Sequence, residues 1–268
     1  MNIVFYFIIF IIGTLVGSFL TLATYRIPLN QDITHKRSYC PNCNHRLEFW
    51  DLIPVWSYIF LGAKCRYCKK KISPRYFLIE VFSGLAFVFL ALGLGFDIYK
   101  GITSLQIIEF VIWALYIVFL FLVGQIDKEH RIIDKRVLIY GFVISIIKVI
   151  FDYLLARSEL ATYNLNRIII YLIAIIILNL ISIKNKRKDN YYISLMIICA
   201  IMGIYTYEIS TILSIIYALL IMSVILLLNK ITGNEKKNEN EISKRQPIVF
   251  YLAISNAVVI FLAIINSL

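Results

Sequence analysis

The chain has 268 residues; 60% are hydrophobic, 16% are charged, and the formal net charge is +11. Mean hydropathy is strongly positive, and the apolar residues come in long unbroken runs instead of at a helical or alternating spacing. A soluble core is thereby excluded, and so is a barrel, whose strands would need alternation; helices are the remaining way to span a bilayer that offers the backbone no hydrogen-bond partners.

Runs of spanning length lie at about 3–25, 77–96, 104–126, 137–155, 168–183, 191–207, 209–229 and 248–266. The fold class expected is therefore all-α integral membrane, with about eight transmembrane helices. The first run lacks a basic leading region, and Gly17-Ser18-Phe19-Leu20 continues straight through it, so it reads as a retained span instead of a signal peptide. Only a short turn at Tyr207-Glu208 separates the sixth and seventh runs. The division expected is a first transmembrane helix at 1–25, a loop domain at 26–76 and a seven-helix bundle at 77–268.

The positive charge follows the topology. With the N-terminus outside, the inside loops are 26–75, 128–136, 184–188 and 230–245, and they hold 23 of the 27 Lys and Arg residues. Lys100, Arg157 and Arg167 fall outside, and Lys148 falls within a run. Such a bias sets orientation. The basic excess then serves topology and anionic membrane lipid instead of nucleic acid.

Cys40-Pro41-Asn42-Cys43 and Cys65-Arg66-Tyr67-Cys68 place four of the five cysteines in the loop after the first span. Two C-x2-C pairs about 20 residues apart match a four-thiolate zinc site, each pair forming a knuckle of one tetrahedral, closed structural centre. The loop is expected to be cytoplasmic, where disulfides are disfavoured, and it is too small to bury much core, so Zn2+ would supply folding energy. This gives a small zinc-ribbon-like domain. His45 is a weaker ligand candidate, and Cys199, within a span, reads as a packing residue.

These residues resemble the bacterial type IV prepilin peptidases. Gly17-Ser18-Phe19-Leu20 with Arg26-Ile27-Pro28, then Ser38-Tyr39-Cys40-Pro41 and Cys43, Asp51-Leu52-Ile53-Pro54, Ser57-Tyr58, the second cysteine pair, Ile72-Ser73-Pro74-Arg75-Tyr76 and Glu80 are similar to that family in order. The similarity is dense over about 13–82 and resumes over 127–134. It implies an eight-span aspartyl protease of the bacterial inner membrane. The substrate implied is a prepilin or pseudopilin precursor with a short basic leader, a Gly before the cut and an apolar helix after it. It also implies possible S-adenosylmethionine-dependent N-methylation of the freed N-terminus.

Acids at bilayer depth are costly and usually functional. Asp127 closes the third run and Asp189 opens the sixth, both at the expected cytoplasmic boundary. Two carboxylates brought close share one proton, because both cannot ionise. The deprotonated member activates water and the protonated one polarises the scissile carbonyl. Asp127 matches the family's first catalytic aspartate, although Ile132-Ile133-Asp134 stands where Ile-Pro-Asp is usual. Asp189 follows Lys186-Arg187-Lys188 where the family has Gly-x-Gly, so both glycines are missing, and this basic run would repel a basic leader unless anionic lipid, Glu129 or Asp134 offsets it. Asp134 reads as a helix cap or supporting acid, Glu80 as a carboxylate facing protein and paired with a loop cation, and His130 as a residue that shares the face of Asp127 if that stretch is helical. Two other readings compete: a non-catalytic prepilin-binding relative, favoured by the altered second motif, and a small-solute transporter. The transporter reading calls for charged or broken helices near the midplane and a repeat, neither of which the sequence displays.

Overall fold

The computed structural model describes residues 2–35, 37–155, 191–206, 208–231 and 246–267. Its eight described α-helices are α1 (Asn2–Arg26), α2 (Trp56–Phe60), α3 (Pro74–Gly93), α4 (Ser104–His130), α5 (Lys135–Leu154), α6 (Tyr191–Tyr205), α7 (Glu208–Ile231) and α8 (Ile248–Ser267). A 3-10 turn occupies Phe49–Asp51. The only strand-like pairings among the described residues are two isolated bridges, Tyr39 with Arg46 and Lys64 with Lys71. Helices α1, α3, α4, α5 and α8 are long and apolar enough to cross a membrane, and shorter apolar stretches lie at Ile193–Tyr205 and Ser210–Ile225. The protein is an all-helical, multi-pass membrane protein. The expected fifth span, 168–183, lies outside the described residues.

Helix ends depart from the apolar runs where local chemistry overrides hydropathy. Helix α3 begins at Pro74, before the apolar stretch, because the Ser73 hydroxyl accepts from the Arg75 N–H and Pro suits the first turn. Helix α4 carries Asp127 and His130 within its last turn and stops at Arg131, whose φ of 56° puts it in the left-handed region. Asp134 caps α5, its carboxylate accepting from the Arg136 N–H at 2.8 Å.

The chain divides into two compact units, 1–114 with 264–268, and 115–263. In the first, α1 and α3 run antiparallel along a seam of small residues. A Cβ on Gly13 would sit 2.8 Å from Gly84 Cα, and one on Gly17 would sit 2.9 Å from Glu80 Cα. Lipid gives no hydrophobic drive to helix pairing, so close backbone approach through small residues carries the association. The cytoplasmic end of α1 as read from the charge pattern is tied down by buried Arg26, which donates to the carbonyls of Asp32 at 2.9 Å and Arg37 at 3.3 Å.

In the second unit, Tyr116 of α4 stacks on Tyr205 of α6 with ring centroids 3.9 Å apart. Its hydroxyl donates to Asn256 Oδ1 at 2.8 Å, and Asn256 Nδ2 donates to Ser214 Oγ at 3.2 Å. This buried chain joins α4, α8 and α7, as interhelical hydrogen bonds do where water is absent. On α5, Lys148 Nζ holds both carboxylate oxygens of Asp152 at 2.6 Å, with Asp152 fully buried. The sequence reading placed Lys148 in a span but assigned it no acid; the four-residue spacing to Asp152 was the available signal.

Candidate functional sites

The cysteine site is built from two copies of one turn. Around the first pair, Cys40 N–H donates to His45 O and Asn44 N–H returns to Cys40 O. Around the second, Cys65 N–H donates to Lys70 O and Lys69 N–H returns to Cys65 O. Asn44 (φ 55°) and Lys69 (φ 59°) take the same left-handed place in each copy. This local repeat has almost no sequence signature beyond the C-x2-C spacing, which is why reading the residues found no repeat.

The two turns face each other, so that the four thiol sulfurs of Cys40, Cys43, Cys65 and Cys68 lie within 4.8 Å of one another, and Cys40 Sγ is 3.9 Å from Cys68 Sγ. A tetrahedron with metal–sulfur bonds of about 2.3 Å has edges of about 3.8 Å, so the cluster has the size of a four-thiolate centre. The Lys70 N–H and the Asn42 amide, which reaches Cys68 Sγ at 3.5 Å, hold that thiol down at about 6. His45 is not part of the cluster; its ring lies against Tyr67, centroids 3.6 Å apart. Beside the second pair, Asp51 accepts from Arg66 Nε at 2.6 Å and from the Tyr67 hydroxyl at 3.2 Å. Burial opposes the charge on Asp51, but the Arg66 and Glu48 donors win and hold its carboxyl below the usual range.

Glu80 is where the sequence expected it, facing protein within α3, but its partner differs. Its Oε2 accepts the backbone N–H of Val55 at 2.7 Å instead of a loop cation. Val55 has φ 65° and ψ −53°, and Trp56 N–H closes on Pro54 O at 2.7 Å. This is a γ-turn, a strained conformation for a β-branched residue, and the carboxylate supports it.

Asp127 is fully buried in the last turn of α4. Its Oδ2 accepts the N–H groups of Val249 at 2.9 Å and Phe250 at 3.2 Å, at the first turn of α8. Its Oδ1 accepts the hydroxyl of buried Tyr191 at 3.1 Å. An acid at a helix N-terminus satisfies otherwise orphaned N–H groups and suits the helix dipole. A carboxylate has about four acceptor sites; three are filled, and the one left is on Oδ1. On α4 and just past its end, three polar atoms are buried without a hydrogen-bond partner among the described residues: Gln125 Oε1, His130 Nε2 and Arg131 Nη1. Asp189 lies outside the described residues. Neither Tyr191 nor the start of α8 was among the sequence candidates, although Pro247 ahead of an apolar run marks a helix start.

Residues 11–94 match the model of the Bacterial Peptidase A24 N-terminal domain. The chain is similar to proteins named prepilin leader peptidase/N-methyltransferase. The one from Myxococcus xanthus is 33% identical over 52% of this chain and 38% of its own. The one from Vibrio cholerae is 33% identical over 54% of this chain and 56% of its own. The one from Bacillus subtilis is 36% identical over 50% of each. The chain thus spans about half the length of the curated relatives it matches, or less. No solved structure matches it. The resemblance carried by the motifs around the cysteine pairs is accordingly one to prepilin leader peptidases.

Proposed function

We propose that the chain is a membrane aspartyl endopeptidase that removes the basic leader from type IV prepilin-like precursors at the inner face of the bacterial inner membrane. Asp127 and Asp189 form the catalytic pair. The observation that carries this reading is the hydrogen bond from Tyr191 to Asp127. Asp189 is two residues before Tyr191 in the sequence, so the length of one tyrosine side chain and about 7 Å of backbone bound its distance from the first acid.

In this reaction the ionised member accepts a proton from water as the oxygen attacks the scissile carbonyl, and the other acid donates to the carbonyl oxygen. Asp127 suits the base, since its filled acceptor sites fix it in place and the remaining one on Oδ1 is available to water. The atoms of Gln125, His130 and Arg131 that lack a partner among the described residues are groups that an extended peptide could satisfy, and buried polar atoms of this kind call for such an explanation.

The cysteine cluster is read as a structural zinc site. The fit rests on its thiol chemistry and tetrahedral size, and the metal would staple the two turns together without entering the reaction. The charge bias supports an outside N-terminus and a cytoplasmic cysteine domain. N-methylation of the new N-terminus with S-adenosylmethionine is the second activity named for the relatives, and it is carried here as part of the proposal.

One observation favours a non-catalytic prepilin-binding protein: Asp127 already serves as the cap of α8. Co-expression with the cognate prepilin separates the two. Leader loss on a gel is expected with the wild type and absent with Asp127→Ala or Asp189→Ala. An uncut precursor with the wild type would favour binding alone.

A further inference from the structure

Residues 49–63 read Phe-Trp-Asp-Leu-Ile-Pro-Val-Trp-Ser-Tyr-Ile-Phe-Leu-Gly-Ala, a stretch whose only charge is Asp51. That acid is turned inward to Arg66 and Tyr67. An aqueous loop would hide such side chains, yet Phe49 is 74% exposed, Trp50 68% and Phe60 78%, and Trp56 and Ile59 are also exposed. Apolar surface of this kind marks an interaction face.

The segment lies against parts of α1 and α3 that belong to the membrane. Val55 is bonded to Glu80, six residues into α3 and so about 9 Å along it at about 1.5 Å per residue. A groove of about 360 Å³ runs between the segment and α1, lined by Phe10, Ile11 and Leu15 on one side and by Leu52, Trp56 and Ile59 on the other. Leu15 is eleven residues before Arg26, about 16 Å along the helix axis, and Ile11 about 22 Å.

We propose that residues 49–63 form a re-entrant segment inserted in the bilayer beside α1 and α3, and that the groove and exposed aromatic face take the acyl chains of membrane lipid. Irregular backbone survives at that depth only if its polar groups are satisfied by protein. At the turn and through the short helix they are taken up: Trp56 N–H bonds to Pro54 O, Ser57 to Ile53 O, Leu61 to Ser57 O and Ala63 to Tyr58 O, and Glu80 takes the Val55 N–H. The length is that of a re-entrant or interfacial stretch instead of a span. Arg46 lies just before it, and Lys64, Lys69, Lys70 and Lys71 just after it, where they would meet anionic headgroups. A volume near 360 Å³ is that of about a dozen methylenes, so it fits one lipid tail and is too small for a helix about 10 Å across. This inference needs only the membrane location and is independent of the peptidase reading.

The full chain reconstituted in vesicles tests it through Trp56. Trp50, Trp56 and Trp113 are the three tryptophans, so Trp50→Phe/Trp113→Phe leaves Trp56 as the reporter; the difference between wild type and Trp56→Phe reports the same residue should the double variant fold poorly. Phosphatidylcholine brominated at mid-chain is expected to remove most of the Trp56 emission, while aqueous iodide removes little. Quenching by iodide but not by brominated lipid would overturn the proposal by placing the segment in water. Protection from both quenchers would also overturn it, because protein, such as a second copy, would then cover the groove.

Discussion

Gly17→Ala tests the seam between α1 and α3. The added Cβ would lie 2.8 Å from Ser83 Cβ and 2.9 Å from Glu80 Cα. Carbon atoms rest at about 3.5–4.0 Å, and the second obstacle is backbone, so the helices must part by roughly 1 Å. Such overpacking costs about 1–3 kcal/mol, and Ala regains about 1 kcal/mol over Gly in a helix interior. The shift falls on Glu80 itself. Moving it by roughly 1 Å takes the 2.7 Å bond to Val55 out of hydrogen-bonding range, and a bond to a charged group is worth about 1.5–3 kcal/mol. The net loss expected is about 2–4 kcal/mol. Thermal or SDS unfolding in detergent measures it, with Ile12→Ala, on an exposed face of α1, as a control expected to stay within about 0.5 kcal/mol of wild type. A Gly17→Ala protein as stable as wild type would refute the close-packed seam and the role given to Glu80.

Three further outcomes are expected. Purified protein carries about one zinc per chain, Cys40→Ser/Cys43→Ser carries none, and acidification releases the metal because protons compete for the thiolates; metal analysis of dialysed samples decides this. Lys148→Met leaves the buried Asp152 carboxylate without the ammonium that holds it and costs about 3–5 kcal/mol, whereas Lys148→Met/Asp152→Leu recovers most of that loss; unfolding curves of the two variants check the order. Tyr191→Phe removes the phenol from Asp127 Oδ1 and lowers the leader-cleavage rate about tenfold or more, while the unfolding midpoint moves little; an unchanged rate would take Tyr191 out of the site.

Much of this architecture is legible from residue order alone, since lipid imposes one rule on every span. The runs expected at 3–25, 77–96, 104–126, 137–155, 191–207, 209–229 and 248–266 each coincide with a described helix over most of their length. Boundaries were less legible, because the Ser73 cap and the left-handed Arg131 act through backbone geometry that hydropathy does not register. The cysteine cluster was readable from spacing because tetrahedral coordination needs two paired knuckles. The Val55 turn was not, since nothing in Ile53-Pro54-Val55 announces that a carboxylate 25 residues on will hold its N–H. The basic residues of the loop domain mark it as cytoplasmic, and that bias says nothing of the apolar stretch inside it. For Asp127, residue type and depth pointed to chemistry, but its donors come from positions 191, 249 and 250, a juxtaposition that only the fold creates.

The most direct measurement of the central claim is the rate of leader removal from a purified cognate prepilin by the reconstituted wild type, Asp127→Asn, Asp189→Asn and the double variant. Groups that act as one unit are strongly non-additive, so each single variant is expected to fall to the residual rate of the double. An Asp189→Asn protein that cuts at the wild-type rate would contradict the paired-acid account.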